Sequence, residues 1–340
     1  MGWPLLSLKS YFYELPESLI AQYPLLRRDQ ARLMVLNRRQ QTIIHDTFVH
    51  IDRYLSPRTV FVLNNTKVIP ARIFGKKLDT KGQVEVFLLR PLDDGYSFEA
   101  LLKPLKKIRL GQTIDFGHGL QAQLVDKKKK IVKFNRPNVF QALQKIGHIP
   151  LPPYIKRNDE ASDHKNYQTI YAKKPGSVAA PTAGLHFTKT LMNRLKQEGH
   201  RFLEATLHIN YGTFKPVACE DIRSHLMHEE YYDVPANVYQ KILKAQENHQ
   251  NICAVGTTGC RVLESLGKGA SLTGQTNLFI YPGFCFTMTN CLLTNFHLPY
   301  SSLLMLVCAF GGYDLVIRSY REAIKEKYRF YSYGDAMLIT

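Results

Sequence analysis

The sequence predicts an α/β main domain that carries an inserted, small antiparallel β-barrel. Strand-like and helical segments alternate over most of the chain, which is typical of an α/β layer structure. A run of short strand-like segments without helical periodicity interrupts this alternation. The length of 340 residues is sufficient for two domains. We therefore predict that residues 1–72 and 148–340 form the main domain and residues 73–147 the barrel.

The predicted barrel consists of short segments rich in β-favouring residues. Turn sequences separate them, such as Asp93-Asp94-Gly95 and Gly117-His118-Gly119. The segments are 84–89, 96–102, 112–116, 120–125 and 131–134. Four consecutive lysines at 127–130 lie between the last two. They form either a solvated hairpin tip or a loop that contacts phosphates.

The main domain shows both periodicities. Residues 59–63 and 252–255 are strand-like, whereas 238–245 and 313–328 have helical spacing. An apolar helix is expected from Leu303. A further helix is predicted after Thr188, which is placed to cap it, and Gly199 is placed to end it.

Composition restricts the class of protein. Lys and Arg outnumber Asp and Glu by 45 to 28, giving a net charge of +17, which favours a polyanionic partner. The six cysteines show no Cys-x-x-Cys pair or zinc spacing, so we expect reduced thiols. No apolar run approaches the roughly 20 residues of a membrane span, and the chain starts without a basic leader. We predict a soluble, cytoplasmic monomer without a membrane partner.

The segment 177–188 is apolar, small and glycine-bearing, and His186 is its one ionisable residue. Small residues allow a ligand to approach the backbone, and Gly184 can adopt a positive φ. Because a predicted helix follows, the segment suits a loop that holds a ligand at a helix N-terminus. The alternative is a buried turn with a core histidine.

Residues 255–264 follow a predicted strand and open a helix. Thr257, Thr258 and Arg261, together with free N–H groups, suit a carboxylate or phosphate. Plain capping by a threonine is the alternative. The segment is neither a phosphate-binding Walker loop nor a dinucleotide fingerprint, which weighs against a Rossmann-type methyltransferase.

Two further segments combine histidines with polar or aromatic neighbours. His225 and His228 stand beside two glutamates, a pattern compatible with a metal, with acid–base or substrate contacts, or with a surface turn; no complete ligand set follows, so we predict no metal. His297 follows Phe296 at the end of a predicted strand. Aromatic residues of these loops suit stacking on adenine or contact with a sulfonium, and core packing is the alternative for each. His208 is either structural or catalytic.

Several blocks of the chain, in order, resemble the S-adenosylmethionine:tRNA ribosyltransferase-isomerase family of queuosine biosynthesis. Besides the segment 177–188, the blocks are Tyr-Glu-Leu-Pro at 13–16, Val-Leu-Asn-Asn-Thr-Lys-Val at 62–68, Ile-Pro-Leu-Pro-Pro-Tyr-Ile at 149–155, Tyr-Gly-Thr-Phe-Lys-Pro-Val at 211–217, Leu-Thr-Asn-Phe-His-Leu-Pro at 293–299 and Tyr-Gly-Asp-Ala-Met-Leu at 333–338. Ordered matches over nearly the whole chain are more specific than any single motif.

The resemblance implies a transferase that uses S-adenosylmethionine as a substrate, with no metal or other cofactor. The ribosyl unit would be transferred and isomerised onto a 7-aminomethyl-7-deazaguanosine at the tRNA wobble position, giving epoxyqueuosine, adenine and methionine. Such chemistry needs a base beside the sulfonium, an acid for the departing adenine and a proton acceptor for the aminomethyl group. The implied partners are S-adenosylmethionine and a tRNA with a modified wobble purine.

The resemblance also implies roles for individual residues. We expect His186 and His297 to transfer protons, with His228 and Glu229 in reserve. The expected substrate-binding residues are Thr182, Gly184, Phe187, Tyr211, Gly212, Thr213, Thr257, Thr258, Arg261, Asn295, Phe296 and Asp335. The residues expected to contact tRNA phosphates are Arg27, Arg28, Lys106, Lys107, Lys127 and Lys128.

The sequence departs from the family pattern at Ala31, Gly259, Cys285, Asn290 and Tyr300. Charges lost at the last three positions leave reduced activity or an altered substrate preference open. Two other functions also remain open: a tRNA-binding relative with weakened catalysis, and another S-adenosylmethionine-dependent RNA transferase.

Overall fold

The computed structural model describes residues 4–210, 212 and 216–340. In this part of the chain, nine strands and the packed helices form an α/β layer, and six strands close a separate barrel, so the predicted fold class is confirmed. The strands are β1 (Arg32–Asn37), β2 (Thr42–Thr47), β3 (Val60–Asn64), β4 (Thr66–Val68), β5 (Arg72–Lys77), β6 (Gln83–Pro91), β7 (Ser97–Lys103), β8 (Thr113–Asp115), β9 (Gln121–Asp126), β10 (Ile131–Phe134), β11 (Lys174–Ser177), β12 (Arg201–Leu207), β13 (Glu230–Asp233), β14 (Ile252–Val255), β15 (Thr273–Thr276), β16 (Cys291–Asn295) and β17 (Ala336–Ile339).

The helices are α1 (Phe140–Ile146), α2 (Asp163–Asn166), α3 (Lys189–Gln197), α4 (Ala236–Glu247), α5 (Gly256–Gly267), α6 (Ser302–Gly311) and α7 (Tyr313–Lys325). Helix α3 begins as predicted, because the Thr188 hydroxyl accepts a hydrogen bond from the Leu191 N–H at 3.2 Å. Among the described residues, no single helix is long and apolar enough to cross a membrane. Helices α6 and α7 reach the necessary length and hydrophobicity only together, and the chain bends by 117° between them.

The large sheet has the order β15-β13-β12-β3-β14-β16-β17-β1-β2. Strands β12, β3, β14 and β16 are parallel, β17 is antiparallel to β16, and β1 is parallel to β17. One edge of the sheet therefore collects the carboxyl ends of the four parallel strands and the amino ends of β17 and β1. We call it the carboxyl edge, and it includes Asn64, Leu207, Val255, Asn295, Ala336 and Arg32.

The central strands are apolar on both faces, as expected for parallel strands covered on both sides. In β3, Val60 and Val62 pack into one core, whereas Phe61 and Leu63 pack into the opposite core. This double burial fixes the register of the central strands and therefore the positions of the loops at the carboxyl edge.

The barrel has the strand order β10-β7-β6-β5-β8-β9 and its own apolar core. Strand β5 was not predicted from the sequence. A Cβ at its Gly75 would lie 2.8 Å from the Asp115 carbonyl oxygen and 2.7 Å from the Phe116 ring, so glycine permits the close approach of β5 and β8. Residues 127–130 form the turn between β9 and β10, as the hairpin interpretation predicts. The domain boundaries at residues 72/73 and 147/148 stay a prediction.

Candidate active site

A cleft with about 730 Å³ of empty space, partly open to solvent, lies at the carboxyl edge. Open α/β sheets bind ligands at this place, outside the carboxyl ends of their strands. Its lining includes the predicted site residues Thr182, Thr257, Thr258, Asn295 and His297. Small and apolar side chains such as Ala179, Ala180, Ala183 and Ile209 complete much of the wall. We call this cavity the edge cleft.

Asn295, the last residue of β16, connects the cleft wall to His186 behind it. Its Nδ2 lies 3.2 Å from the Tyr331 carbonyl oxygen, 3.3 Å from the Asp335 carbonyl oxygen and 3.2 Å from the His186 Nε2. Carbonyl oxygens only accept hydrogen bonds, so they fix the orientation of the amide group. The His186 Nε2 is then the acceptor of its pair with Asn295.

His186 ends the 3₁₀ turn Thr182–His186 and is buried, with its ring 5.1 Å from that of Phe48. Burial, with a smaller contribution from the Arg28 charge, lowers the pKa of His186 to about 4. The imidazole is therefore neutral at pH 7 and has one ring nitrogen without a proton.

His297 lines the cleft directly. Its Nε2 lies 2.7 Å from the Thr294 hydroxyl, and its backbone is held by two tyrosines, because the Tyr320 hydroxyl accepts from its N–H and the Tyr13 hydroxyl donates to its carbonyl. Burial lowers the pKa of His297 to about 3. Thr294 and Asn295, the last two residues of β16, thus each contact one neutral imidazole through their side chains: Thr294 contacts His297 and Asn295 contacts His186.

The first turn of α5 forms the opposite wall. Gly256, with φ +85°, lets β14 pass directly into the helix. Among the described residues, no side chain caps this helix, so the capping alternative for Thr257 and Thr258 does not hold. The free N–H groups of the first turn and the two hydroxyls suit an anionic group.

Arg261, one turn further along α5, is occupied within the protein. Its Nε donates to the Leu278 carbonyl at 3.0 Å, one terminal nitrogen donates to the Thr276 carbonyl at 3.1 Å, and the other pairs with Glu230. Glu230 also accepts from the Asn210 N–H at 2.9 Å. The structure does not bring Arg261 to the cleft wall; this ion pair instead ties α5 to β13 and β15.

Comparisons with known proteins agree with this architecture. The family model described as "Queuosine biosynthesis protein" matches residues 8–339. The S-adenosylmethionine:tRNA ribosyltransferase-isomerase of Sulfurihydrogenibium sp. (strain YO3AOP1) is 49% identical over 98% of this chain and 100% of its own, and that of Carboxydothermus hydrogenoformans is 48% identical over the same shares. The chain belongs to the S-adenosylmethionine:tRNA ribosyltransferase-isomerase family.

A solved structure supports the same assignment. The crystal structure of the S-adenosylmethionine tRNA ribosyltransferase from Thermotoga maritima is 36% identical, with a TM-score of 0.57, and covers 97% of this chain and 100% of that one. The family resemblance given by the sequence blocks is therefore confirmed.

Several residues expected to bind substrate in this ribosyltransferase-isomerase lie behind the cleft walls. Phe187 and Phe296 are fully buried in aromatic clusters, as their core-packing alternative predicts. Asp335 is also buried, and its carboxylate accepts hydrogen bonds from the backbone N–H of Arg32 at 2.9 Å and from the backbone N–H of Arg329 at 2.7 Å. A Cβ at Gly184 would lie 1.9 Å from the Tyr171 hydroxyl oxygen, so glycine is needed there for packing.

The remaining candidates that the structure describes are not part of the cleft lining. His228 and Glu229 are exposed ahead of β13, and the His228 ring packs over Gly212. Tyr211 and Thr213 lie outside the described residues. His208 pairs through Nδ1 with the Thr66 hydroxyl at 2.8 Å. No cluster of three or more His, Cys, Asp or Glu that could hold a metal occurs in the described part of the chain.

The predicted phosphate contacts are mostly surface residues. Lys106, Lys107 and Lys128 are exposed on the barrel, and Lys127 is exposed with its Nζ near the Ile108 carbonyl oxygen at 2.8 Å. Arg27 is exposed on the main domain. Arg28 is half-buried and donates to the Gln168 and Lys165 carbonyls, both at 2.7 Å.

Sequence reasoning missed the aromatic part of the cleft wall. The Tyr331 ring stacks on Tyr154 with 4.5 Å between centroids, and the Tyr154 hydroxyl lies 2.7 Å from the Ser332 hydroxyl. Tyr331 has φ +69°, a conformation that costs a bulky residue on the order of 1–3 kcal/mol. The aromatic run Phe330-Tyr331-Ser332-Tyr333 just before a strand at the carboxyl edge was the available signal.

Proposed function

We propose that the chain transfers and isomerises the ribosyl unit of S-adenosylmethionine onto 7-aminomethyl-7-deazaguanosine at the tRNA wobble position. The products are epoxyqueuosine in tRNA, adenine and methionine. The observation that carries this proposal is the convergence at one cleft of His297, an uncapped helix N-terminus and Asn295, whose amide group contacts the neutral His186 behind the wall. S-adenosylmethionine is consumed, and no other cofactor is needed.

The walls of the edge cleft suit a sulfonium nucleoside. The alanines and Ile209 give an apolar surface for flat or aliphatic groups, and the first turn of α5 offers N–H groups to the methionine carboxylate. Neutral imidazoles add no positive charge beside the sulfonium, so they do not repel it. This arrangement supports binding of S-adenosylmethionine in one orientation.

The two histidines have the chemistry that proton transfer requires. The carbon next to the sulfonium is acidic, and His297 in the cleft is our candidate for the base that removes its proton. The His186 Nε2 accepts from Asn295, so His186 is linked to the cleft through one amide group. We assign His186 the second proton-transfer role, as the neutral base that accepts the proton released by the attacking aminomethyl group.

The tRNA partner is supported by charge. The excess of 17 positive charges favours a polyanion, and exposed lysines of the barrel are available to phosphates. Because tRNA is the proposed substrate, we expect the chain to work in the cytoplasm, and we propose a monomer.

Product analysis tests the proposal. The chain is incubated with S-adenosylmethionine and tRNA that carries either guanine or the aminomethyl-deazaguanine at the wobble position. We expect adenine and methionine in equal amounts, with the modified tRNA only. S-adenosylhomocysteine as the product would instead indicate a methyltransferase. Tight tRNA binding without any product would indicate an RNA-binding relative.

A further inference from the structure

Two polar atoms of the cleft wall have no hydrogen-bond partner among the described residues. They are the Tyr331 hydroxyl and the Asn295 Oδ1. Both residues line the edge cleft, and they are only 4% and 2% exposed. Buried tyrosine hydroxyls and amide oxygens are normally paired, so two unpaired atoms in one wall call for an explanation.

Neither atom can easily turn away to find a partner. The Asn295 amide is fixed because its nitrogen faces the Tyr331 and Asp335 carbonyls, which leaves Oδ1 as the unpaired acceptor. The Tyr331 ring is fixed by its stacking on Tyr154 and by its backbone, which donates to the Phe296 carbonyl at 3.2 Å. The ring stacking and the backbone hydrogen bond together hold Tyr331 in its left-handed conformation.

Together, these two residues of the cleft lining carry one unpaired donor and one unpaired acceptor. A buried phenol stays protonated at neutral pH, and burial raises the pKa of Tyr331. The matching ligand group has a hydrogen-bond acceptor next to a donor. An adenine edge has this pattern, because the 6-amino group donates beside a ring nitrogen that accepts.

We propose that Tyr331 and Asn295 form the subsite that recognises the adenine of S-adenosylmethionine, with the Tyr331 hydroxyl donating to a ring nitrogen and the Asn295 Oδ1 accepting from the 6-amino group. This inference rests on the proposed function. Adenine fits better than the tRNA base, because the same cleft contains the α5 first turn, which suits the negative charge of a methionine carboxylate better than a neutral nucleobase.

The subsite has a consequence for the reaction. Electron density moves onto the adenine ring as its bond to the ribose breaks. A hydrogen bond from Tyr331 to a ring nitrogen strengthens as that charge grows, so it stabilises the transition state more than the bound substrate. Tyr331 would therefore contribute to kcat as well as to binding.

Tyr331→Phe tests the inference cleanly, since it removes only the unpaired hydroxyl. Tyr232→Phe is the matched control, because the Tyr232 hydroxyl donates to the Ser271 carbonyl at 2.6 Å and lies outside the cleft lining. Calorimetric titration with S-adenosylmethionine should show about tenfold weaker binding for Tyr331→Phe and unchanged binding for Tyr232→Phe. Thermal unfolding should show the reverse, with a lower midpoint only for Tyr232→Phe.

The inosine counterpart of S-adenosylmethionine tests the Asn295 contact, because it has a carbonyl in place of the amino group. We expect the wild-type chain to bind it at least tenfold more weakly. Equal binding of both ligands, or full affinity and kcat in Tyr331→Phe, would overturn the inference while leaving the proposed function intact. A variant that loses affinity for tRNA alone would assign the pair to the tRNA base instead. A wild-type chain that binds no S-adenosylmethionine would overturn the proposed function, and this inference with it.

Discussion

The proposed proton transfers depend on two buried, neutral histidines, His186 and His297. Family blocks predicted His297, Asn295 and His186 as site residues, because a strand end and a glycine-bearing turn are visible in sequence. The first two line the cleft, whereas His186 lies behind its wall. Phe187 and Phe296 pack in the core instead, because an aromatic next to a polar site residue points to the other face of its segment. Tyr331 was missed although the aromatic run at 330–333 was visible, because nothing in that run predicts the positive φ at this tyrosine.

His186 should be needed for turnover. We expect His186→Ala to lower kcat by a factor of about 10² or more, because a positioned acid or base contributes about that much. His200→Ala is the matched control, since His200 is also buried but its ring packs against Phe61, whereas His186 contacts Asn295 of the cleft lining. It should lose stability and keep its rate in a single-turnover adenine-release assay. Full turnover in a folded His186→Ala would remove this assignment.

The pH dependence of stability should report the neutral state of His297. Its pKa is about 3 in the folded chain and about 6.5 when unfolded, so the unfolded chain binds the extra proton first as the pH falls. The contribution of neutral His297 to the free energy of unfolding is therefore complete above pH 6.5 and is lost as the pH falls towards 3. Between pH 6.5 and pH 5, wild type should lose about 2 kcal/mol more unfolding free energy than His297→Gln, measured by urea denaturation. Parallel pH curves for the two proteins would contradict a buried, neutral His297.

At the scale of elements, the segment 225–232 shows where pattern reasoning was incomplete. Its polar residues suggested one cluster at a single site, but in the structure some of them are exposed ahead of β13 and others lie on opposite faces of that strand. Glu230 and Tyr232 point inwards, whereas Tyr231 is exposed, as strand alternation requires. The barrel strands β6–β10 were predicted from their turns. Strand β5 was not, because three of its six residues, Arg72, Lys76 and Lys77, are charged and leave no clear alternation of apolar and polar residues in the sequence.

The Arg261–Glu230 pair should stabilise the joint between α5 and β13. Removing one member leaves a buried charge, so Arg261→Met should lower the unfolding free energy by about 3–5 kcal/mol, and the double variant with Glu230→Gln by less. Breaking the exposed Arg223–Asp221 pair with Asp221→Ala should lower the unfolding free energy far less than Arg261→Met does. Denaturant unfolding measures all three variants. If Arg261→Met were as stable as wild type but no longer bound S-adenosylmethionine, Arg261 would be a substrate contact, as the sequence suggested.

At the scale of the whole molecule, the α/β sheet with its inserted barrel followed from periodicity and turn chemistry. The position of the cleft then follows from sheet topology, because the parallel strands end at one edge. Which of the predicted residues line the cleft and which pack in the core depends on contacts between segments that are distant in sequence. Sequence spacing therefore predicted the neighbourhood of the site better than its exact lining.

Binding of tRNA should be electrostatic and should depend on the barrel. If about six or more phosphates are contacted, the affinity should fall by about 10³ between 50 and 200 mM salt. Replacing Lys106, Lys107, Lys127 and Lys128 with Gln should flatten this dependence, measured by filter binding. A control of equal charge change, with Gln at Lys241, Lys244, Lys268 and Lys325, should keep the original slope. Identical slopes in the two variants would exclude the barrel as the phosphate-contacting surface.

A crystal structure of the chain with S-adenosylmethionine would show whether the edge cleft binds this ligand. We predict density for the nucleoside between the Thr182–His186 turn and the first turn of α5, with adenine in hydrogen-bond contact with Tyr331 and Asn295. Ligand density in another cavity, such as the barrel groove beside Arg136 and Lys145, with the edge cleft empty, would rule out the edge cleft as the binding site.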